Sequence, residues 1–201
     1  MAVENKKVVY QVFTRLFGNK VTINKPWGTI EENGVGKFND FTDIALQEIK
    51  NLGVTHIWYT GVLHHALIGD YTKYDISNDN PEIVKGRAGS PYAIKDYYNV
   101  NPDLAVDVSK RMEEFEALIE RTHNNGLKVI IDIVPNHVAR KYEGKNNPLG
   151  VTDFGTNDNT SVEYDRNNDF YYLVNQHFEA PTSPNYKPLN GEYSPIFDTK
   201  F

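Results

Sequence analysis

Asp132, Asn136 and His137 sit in the segment Lys128-Val-Ile-Ile-Asp-Ile-Val-Pro-Asn-His137, where one carboxylate interrupts an apolar run and an Asn-His pair follows it. Val129, Ile130, Ile131, Ile133 and Val134 make the near-continuous apolar stretch expected of a parallel strand covered on both faces. A carboxylate inside such a strand costs several kcal/mol unless it meets a cation, a donor cluster or a metal. Pro135 ends the hydrogen-bonding ladder. Asn136 and His137 therefore emerge at the C-terminal end of the strand, the edge where α/β proteins place their ligands. An amide and an imidazole at that edge can hydrogen-bond a polar ligand, move a proton or bind a cation. A loop-ordering Asp132 and a solvent-facing His137 are the alternative for this one strand.

The neighbouring segments supply the elements that would position such a site. Val8-Val-Tyr-Gln-Val-Phe13 and Thr55-His-Ile-Trp-Tyr59 are short runs of β-branched and aromatic residues, each followed by a polar loop and a helical pattern. Asn39-Asp40 can cap a helix carrying Phe41, Ile44, Ala45, Ile49 and Leu52, with Gly53 as its stop. A second helix is expected from about Ser109 to Asn125, with Met112, Phe115, Leu118, Ile119 and Thr122 on one face and Gly126 closing it. The order is βαβαβ. Gly61 to Asp107 reads as a loop region far longer than the usual two to six residues of an α/β connection, which points to function. From Arg140 onward Asn, Asp, Pro, Gly and Tyr dominate and no long helical period survives.

At these residues the chain resembles the α-amylase clan, glycoside hydrolase family 13. Val9-Tyr-Gln-Val-Phe-Thr-Arg15 resembles the family's first barrel strand and Gly53-Val-Thr-His-Ile-Trp-Tyr-Thr60 its second. Asp132-Ile-Val-Pro-Asn-His137 resembles the first conserved block, on the third strand. Tyr92-Ala-Ile-Lys-Asp-Tyr-Tyr-Asn-Val-Asn-Pro102 is similar to the segment that supplies a sugar-stacking tyrosine. The resemblance implies an α/β fold, the N-terminal part of a (β/α)8 barrel with about three βα units begun, plus an irregular inserted subdomain. Residues 1–138 would be barrel and 139–201 the insertion, and both would be incomplete, since such barrels typically need roughly 250 residues. One departure is Gly61 after the second strand, where the family usually has a proline.

The function implied is retaining hydrolysis of α-linked glucans such as starch and maltooligosaccharides. That chemistry needs a carboxylate nucleophile and a carboxylic acid roughly 5 to 5.5 Å apart. In the family they follow later strands, and no Gly-Phe-Arg-x-Asp block occurs here. No catalytic carboxylate is assigned within the chain; both are expected beyond Phe201, and the 201 residues alone are expected to be inactive. By the same resemblance Tyr92 stacks on the sugar at the cleaved bond, His137 donates a hydrogen bond to a hydroxyl of that sugar, and Asp132 is structural, paired with an arginine on strand four. Asn136 resembles a ligand of a calcium ion, whose preference for six to eight oxygens makes Asp153, Asp158, Asp165 and Asp169 candidate partners. No organic cofactor is expected. A non-catalytic carbohydrate-binding or interaction module on the same fold is the competing reading.

Composition narrows the partners. A net charge of −6 argues against nucleic acid and anionic membranes and suits a neutral substrate. The aromatic fraction of 12% provides flat apolar faces for a sugar. Cysteine is absent, which removes disulfides, thiolate metal sites and thiol nucleophiles. His64-His65 lacks a third ligand for zinc. Gly34-Val-Gly-Lys-Phe38 fails as a phosphate loop, because Phe stands where Ser or Thr is needed and the glycine spacing is wrong. No apolar run approaches the ~20 residues of a membrane span, and Met1 to Lys7 is not followed by the apolar stretch of an export signal. A cytoplasmic protein and the mature form of an exported one both fit.

Overall fold

The computed structural model describes residues 6–176, which fall into two compact units. The first comprises the chain up to His64 together with Val100–Val134, and the second His65–Asn99 together with the chain from Pro135. Segment 65–99 thus groups with the residues after Pro135.

A three-stranded parallel sheet forms the centre of the first unit. Its strands are β1 (Val9–Phe13), β2 (His56–Thr60) and β5 (Lys128–Ile131), in the order β1-β2-β5. The register pairs Gln11 with Trp58 and Trp58 with Ile130. Alternation along each strand then assigns Val12, Ile57, Tyr59 and Val129 to one face, and these join the apolar core. Helices α2 (Asp43–Asn51) and α3 (Arg111–Asn124) add to that core, Leu46 and Ile49 from one and Phe115 and Leu118 from the other, beside Phe38, Phe41 and Leu104 from the connecting segments. A single-turn helix α1 (Ile30–Asn33) precedes them, with Thr29 and Glu32 closing a capping box.

Thr42 caps α2 rather than Asn39 or Asp40; its hydroxyl accepts the Ala45 N–H at 3.2 Å. Asn39 and Asp40 belong to a preceding 3-10 turn. The later start moves the buried stripe to Leu46 and Ile49, and Ile44, about half a turn away from Leu46, is 77% exposed. The second helix follows the expected face: Phe115, Leu118 and Thr122 are buried, and Met112 and Ile119 pack against the core. Arg121 then donates to the Phe41 and Phe38 carbonyls at 2.6 and 3.0 Å, tying the turn before α2 to α3.

Strand β5 is shorter and more exposed than its composition suggests. It ends at Ile131, and Asp132 lies one residue past it, half-buried. Among the described residues β5 has a single strand neighbour, β2, so its outer edge bonds to no strand and Ile131 and Ile133 stay exposed. Apolar composition alone predicted cover on both faces; in the structure helices cover one.

The long segment after β2 is not structureless. Gly61 adopts φ +78, a left-handed turn that proline's locked φ forbids. β3 (Leu63–His65) and β4 (Ile94–Val100) follow and form a separate two-stranded sheet.

Candidate functional site

In the second unit an ion network is built around Lys95, which is fully buried on β4. Its Nζ donates to Asp79 Oδ1 at 2.9 Å and to the Ser77 carbonyl at 2.5 Å, and lies 3.8 Å from Glu143 Oε1. Asp79 also accepts the Leu67 N–H at 3.1 Å, and Ser77 donates its hydroxyl to Glu143. Next along the strand, Asp96 accepts the Tyr98 and Lys145 N–H groups and the Asn146 amide. A buried ammonium is tolerated only with such partners. The network joins segments 65–79, 94–98 and 139–146, and these carry or flank the expected site residues.

Tyr92 and His137 both belong to this unit. The Ala139 N–H donates to the Ile94 carbonyl at 2.6 Å and the Glu143 N–H to the Lys95 carbonyl at 2.9 Å. Tyr92 and His137 each stand two residues before the first of these bonds. Both are exposed, Tyr92 at 42%, as a residue that meets a ligand must be. Asn136 is exposed too, its amide nitrogen 3.4 Å from His137 Nδ1. Asp132, in the first unit, has no side-chain hydrogen bond or ion pair among the described residues; its expected arginine partner is not among them. Alternation from Lys128 and Ile130 assigns it to the sheet face that carries Gln11 and Trp58, opposite the helices.

His137 opens onto a cleft of about 680 Å³ whose other walls come from Val138–Glu143, Phe154–Thr156 and Phe170–Tyr172. Two tyrosine–aspartate pairs set its aromatic walls. Tyr142 donates to Asp153 at 2.7 Å, and Asp153 also takes the Gly144 and Phe154 N–H groups. Burial, and then the Asp153 carboxylate, push the Tyr142 hydroxyl well above the usual phenol range. Tyr172 donates to Asp158 at 2.8 Å, and burial followed by that carboxylate raise it to about 12. Burial alone would raise Asp158; the Asp169 N–H, the Tyr172 hydroxyl and the Phe170 N–H outweigh it and hold this carboxyl below its ordinary value. Phe154 and Phe170 pack on the Tyr142 ring at 6.4 and 5.9 Å. Gly155, with φ +79, has no side chain where a Cβ would lie 2.8 Å from the Phe170 ring.

The four aspartates therefore organise loops. Asp165 accepts the Asn167 N–H and Asp169 the Gly155 N–H. No three histidine, aspartate or glutamate side chains gather at a metal position among the described residues, and no step below runs through calcium. His64 and His65 are buried, and a ring nitrogen of His65 meets the Ala88 carbonyl at 2.9 Å. Among the described residues Glu143 is the single carboxylate lining the cleft, and it already partners Ser77 and Lys95. Among the described residues the lining thus combines aromatic faces, a histidine, Arg140, Lys141 and one carboxylate.

The family model for the alpha amylase catalytic domain matches residues 11–192. The chain belongs to this family. Its sheet and helices are accordingly the N-terminal part of a (β/α)8 barrel. Among similar proteins, trehalose-6-phosphate hydrolase of Bacillus subtilis is 28% identical over 69% of this chain and 18% of its own length. Cyclomaltodextrin glucanotransferase of Geobacillus stearothermophilus is 26% identical over 95% of the chain and 25% of its own length. A solved α-amylase from Lactobacillus plantarum is 32% identical, covers 68% of this chain and 24% of its own, and superposes with a TM-score of 0.44. The chain thus spans about a fifth of the length of its curated relatives.

Proposed function

We propose that the protein containing this chain is an α-amylase-like glycoside hydrolase that cleaves α-linked glucans with retention. Residues 1–138 are assigned to its barrel and 139–201 to the insertion after strand three, with Asn136 a ligand of a bound calcium ion. In this reading His137 hydrogen-bonds a hydroxyl of the sugar at the scissile bond and Tyr92 stacks on the same ring. Both raise the rate by fixing the sugar and by interactions that strengthen as it distorts. Asp132 orders the end of β5 opposite a cation. The nucleophile and the acid come from strands outside these 201 residues. The observation that carries the reading is the exposed His137 lining a cleft walled by Tyr142, Phe154, Phe170 and Tyr172.

The test compares two proteins on starch and maltoheptaose. Full-length protein should release reducing sugar, and its α-anomeric product should be visible by NMR before mutarotation. A polypeptide of the 201 residues should release none. Release by that polypeptide, abolished by changing one of its own carboxylates, would refute the division of labour. A full-length protein that binds glucan without cleaving it would establish the non-catalytic module instead.

A further inference from the structure

Lys95 and Glu143 are joined twice. The Glu143 N–H donates to the Lys95 carbonyl at 2.9 Å, and the Glu143 carboxylate lies 3.8 Å from the Lys95 ammonium. The Ser77 hydroxyl holds the same carboxylate. Four residues earlier the Ala139 N–H donates to the Ile94 carbonyl at 2.6 Å, and Ala139 is buried beside Ala66 and Val84 with Ala93 packed on them. Segment 139–143 therefore runs along β4 in the same direction, bonded at Ile94 and Lys95. Tyr92 and His137 leave the same end of this pairing, each two residues ahead of its first bond.

The pairing bulges, since the chain advances from Ala139 to Glu143 while β4 advances only from Ile94 to Lys95. Backbone between such bonds is unpaired, and the side-chain link from Glu143 fastens its far end. The anchor for that link is firm. The Lys95 ammonium is fully buried and also grips Asp79 at 2.9 Å and the Ser77 carbonyl at 2.5 Å, and releasing any partner would leave charge desolvated. Lys95 is out of reach of a ligand, and the Glu143 carboxylate is committed to Ser77 and Lys95. Their effect on a bound sugar must therefore pass through the placement of His137, where a displacement of about 1 Å can cost on the order of 100-fold in rate.

We propose that Lys95 and Glu143 are positioning residues that hold segment 139–143 on β4 and thereby fix where His137 stands relative to Tyr92. The role rests on the glucan reading of His137 and adds what sets its geometry.

The experiment is a double-mutant cycle in the full-length protein, with Glu143→Ala, Glu143→Gln, His137→Ala and the Glu143→Ala/His137→Ala pair, reading kcat and KM on maltoheptaose. Glu143→Ala should lower kcat roughly 10-fold and change KM less than about 2-fold, because the contact it disturbs strengthens in the transition state. Glu143→Gln keeps an acceptor for the Ser77 hydroxyl and should stay within about 3-fold of wild type. In the His137→Ala background Glu143→Ala should cost less than about 2-fold, since a residue that acts through His137 has nothing left to place. Lys95→Met with Asp79→Leu, which removes the ammonium without stranding a charge, should also lower kcat roughly 10-fold at temperatures well below its melting point. A purely structural contribution would instead add to the His137 loss. Equal losses in the two backgrounds, or no loss in wild type, would overturn the role. If the full-length protein cleaves no glucan, the hydrolase reading fails on its own, and the same cycle is read as calorimetric affinity for maltoheptaose. Non-additive losses there would uphold the role; additive losses, or no binding at all, would overturn it.

Discussion

Replacing Lys95 by Met should damage stability more than any change on the rim of the cleft. The Lys95 side chain is fully buried and that of Asp79 is 2% exposed, and among the described residues the ammonium is Asp79's only ion partner. After the substitution Asp79 keeps the Leu67 N–H but loses its counter-charge, and the Ser77 carbonyl loses a donor. Removing one member of a buried pair costs about 3–5 kcal/mol, because the other charge is left desolvated. For a chain of this size each kcal/mol moves the melting temperature by about 2–4 °C, so a fall of roughly 6–20 °C is expected. Replacing both partners, Lys95→Met with Asp79→Leu, removes the stranded charge and should recover at least half of the loss. Thermal melts followed by circular dichroism at neutral pH read both effects. A single variant melting within 2 °C of wild type, or a double variant no better than the single, would refute the reasoning.

His137→Ala and Tyr92→Ala in the full-length protein should lower kcat/KM by about 30-fold and about 5-fold, for roughly 2 and 1 kcal/mol of lost hydrogen bond and stacking, with melting temperatures unchanged. Asp132→Ala should cost roughly 3–5 kcal/mol of stability in the full-length protein, where a cation is expected opposite it, and under about 1 kcal/mol in the 201-residue chain; equal losses in the two would disprove the missing-partner account. Tyr59 is raised to about 12 by burial, against the Thr122 hydrogen bond. Its stabilising effect is therefore complete below pH 10 and fades as pH rises toward 12. About 2–3 kcal/mol should be lost over that window, and Tyr59→Phe should flatten this part of a pH-dependent denaturation series.

The sheet was legible in the sequence because its signal is local. Val8–Phe13 and Thr55–Tyr59 are dense in β-branched and aromatic residues, and the structure places strands there to within a residue. The second helix was legible for the same reason, with Phe115, Leu118 and Thr122 repeating on one face. Errors arose where a second element decides. Asn39-Asp40 and Thr42 are all competent caps, and packing of Leu46 and Ile49 on the sheet selects the later start. The apolar run after Lys128 predicts burial on both faces, but burial requires neighbours, and among the described residues β2 is the single strand beside it.

Site residues divide along the same line. Tyr92, Asn136 and His137 could be singled out because each sits at the end of a recognisable segment, and the structure finds all three exposed. The groups that hold those segments could not. Lys95 and Asp79 are sixteen residues apart and Ser77 and Glu143 sixty-six apart, so nothing in their spacing announces a contact. One signal was present: Lys95-Asp96 interrupts the strand pattern between Ile94 and Val100. A charge at an inward position of a strand demands a partner as firmly as Asp132 was expected to. For Lys95 the structure supplies that partner within the chain, whereas for Asp132 it supplies none among the described residues. The contrast separates a polar framework that closes among the described residues from a carboxylate expected to meet its cation only in the full-length protein, which is why their stability effects should diverge between the 201-residue chain and the full-length protein.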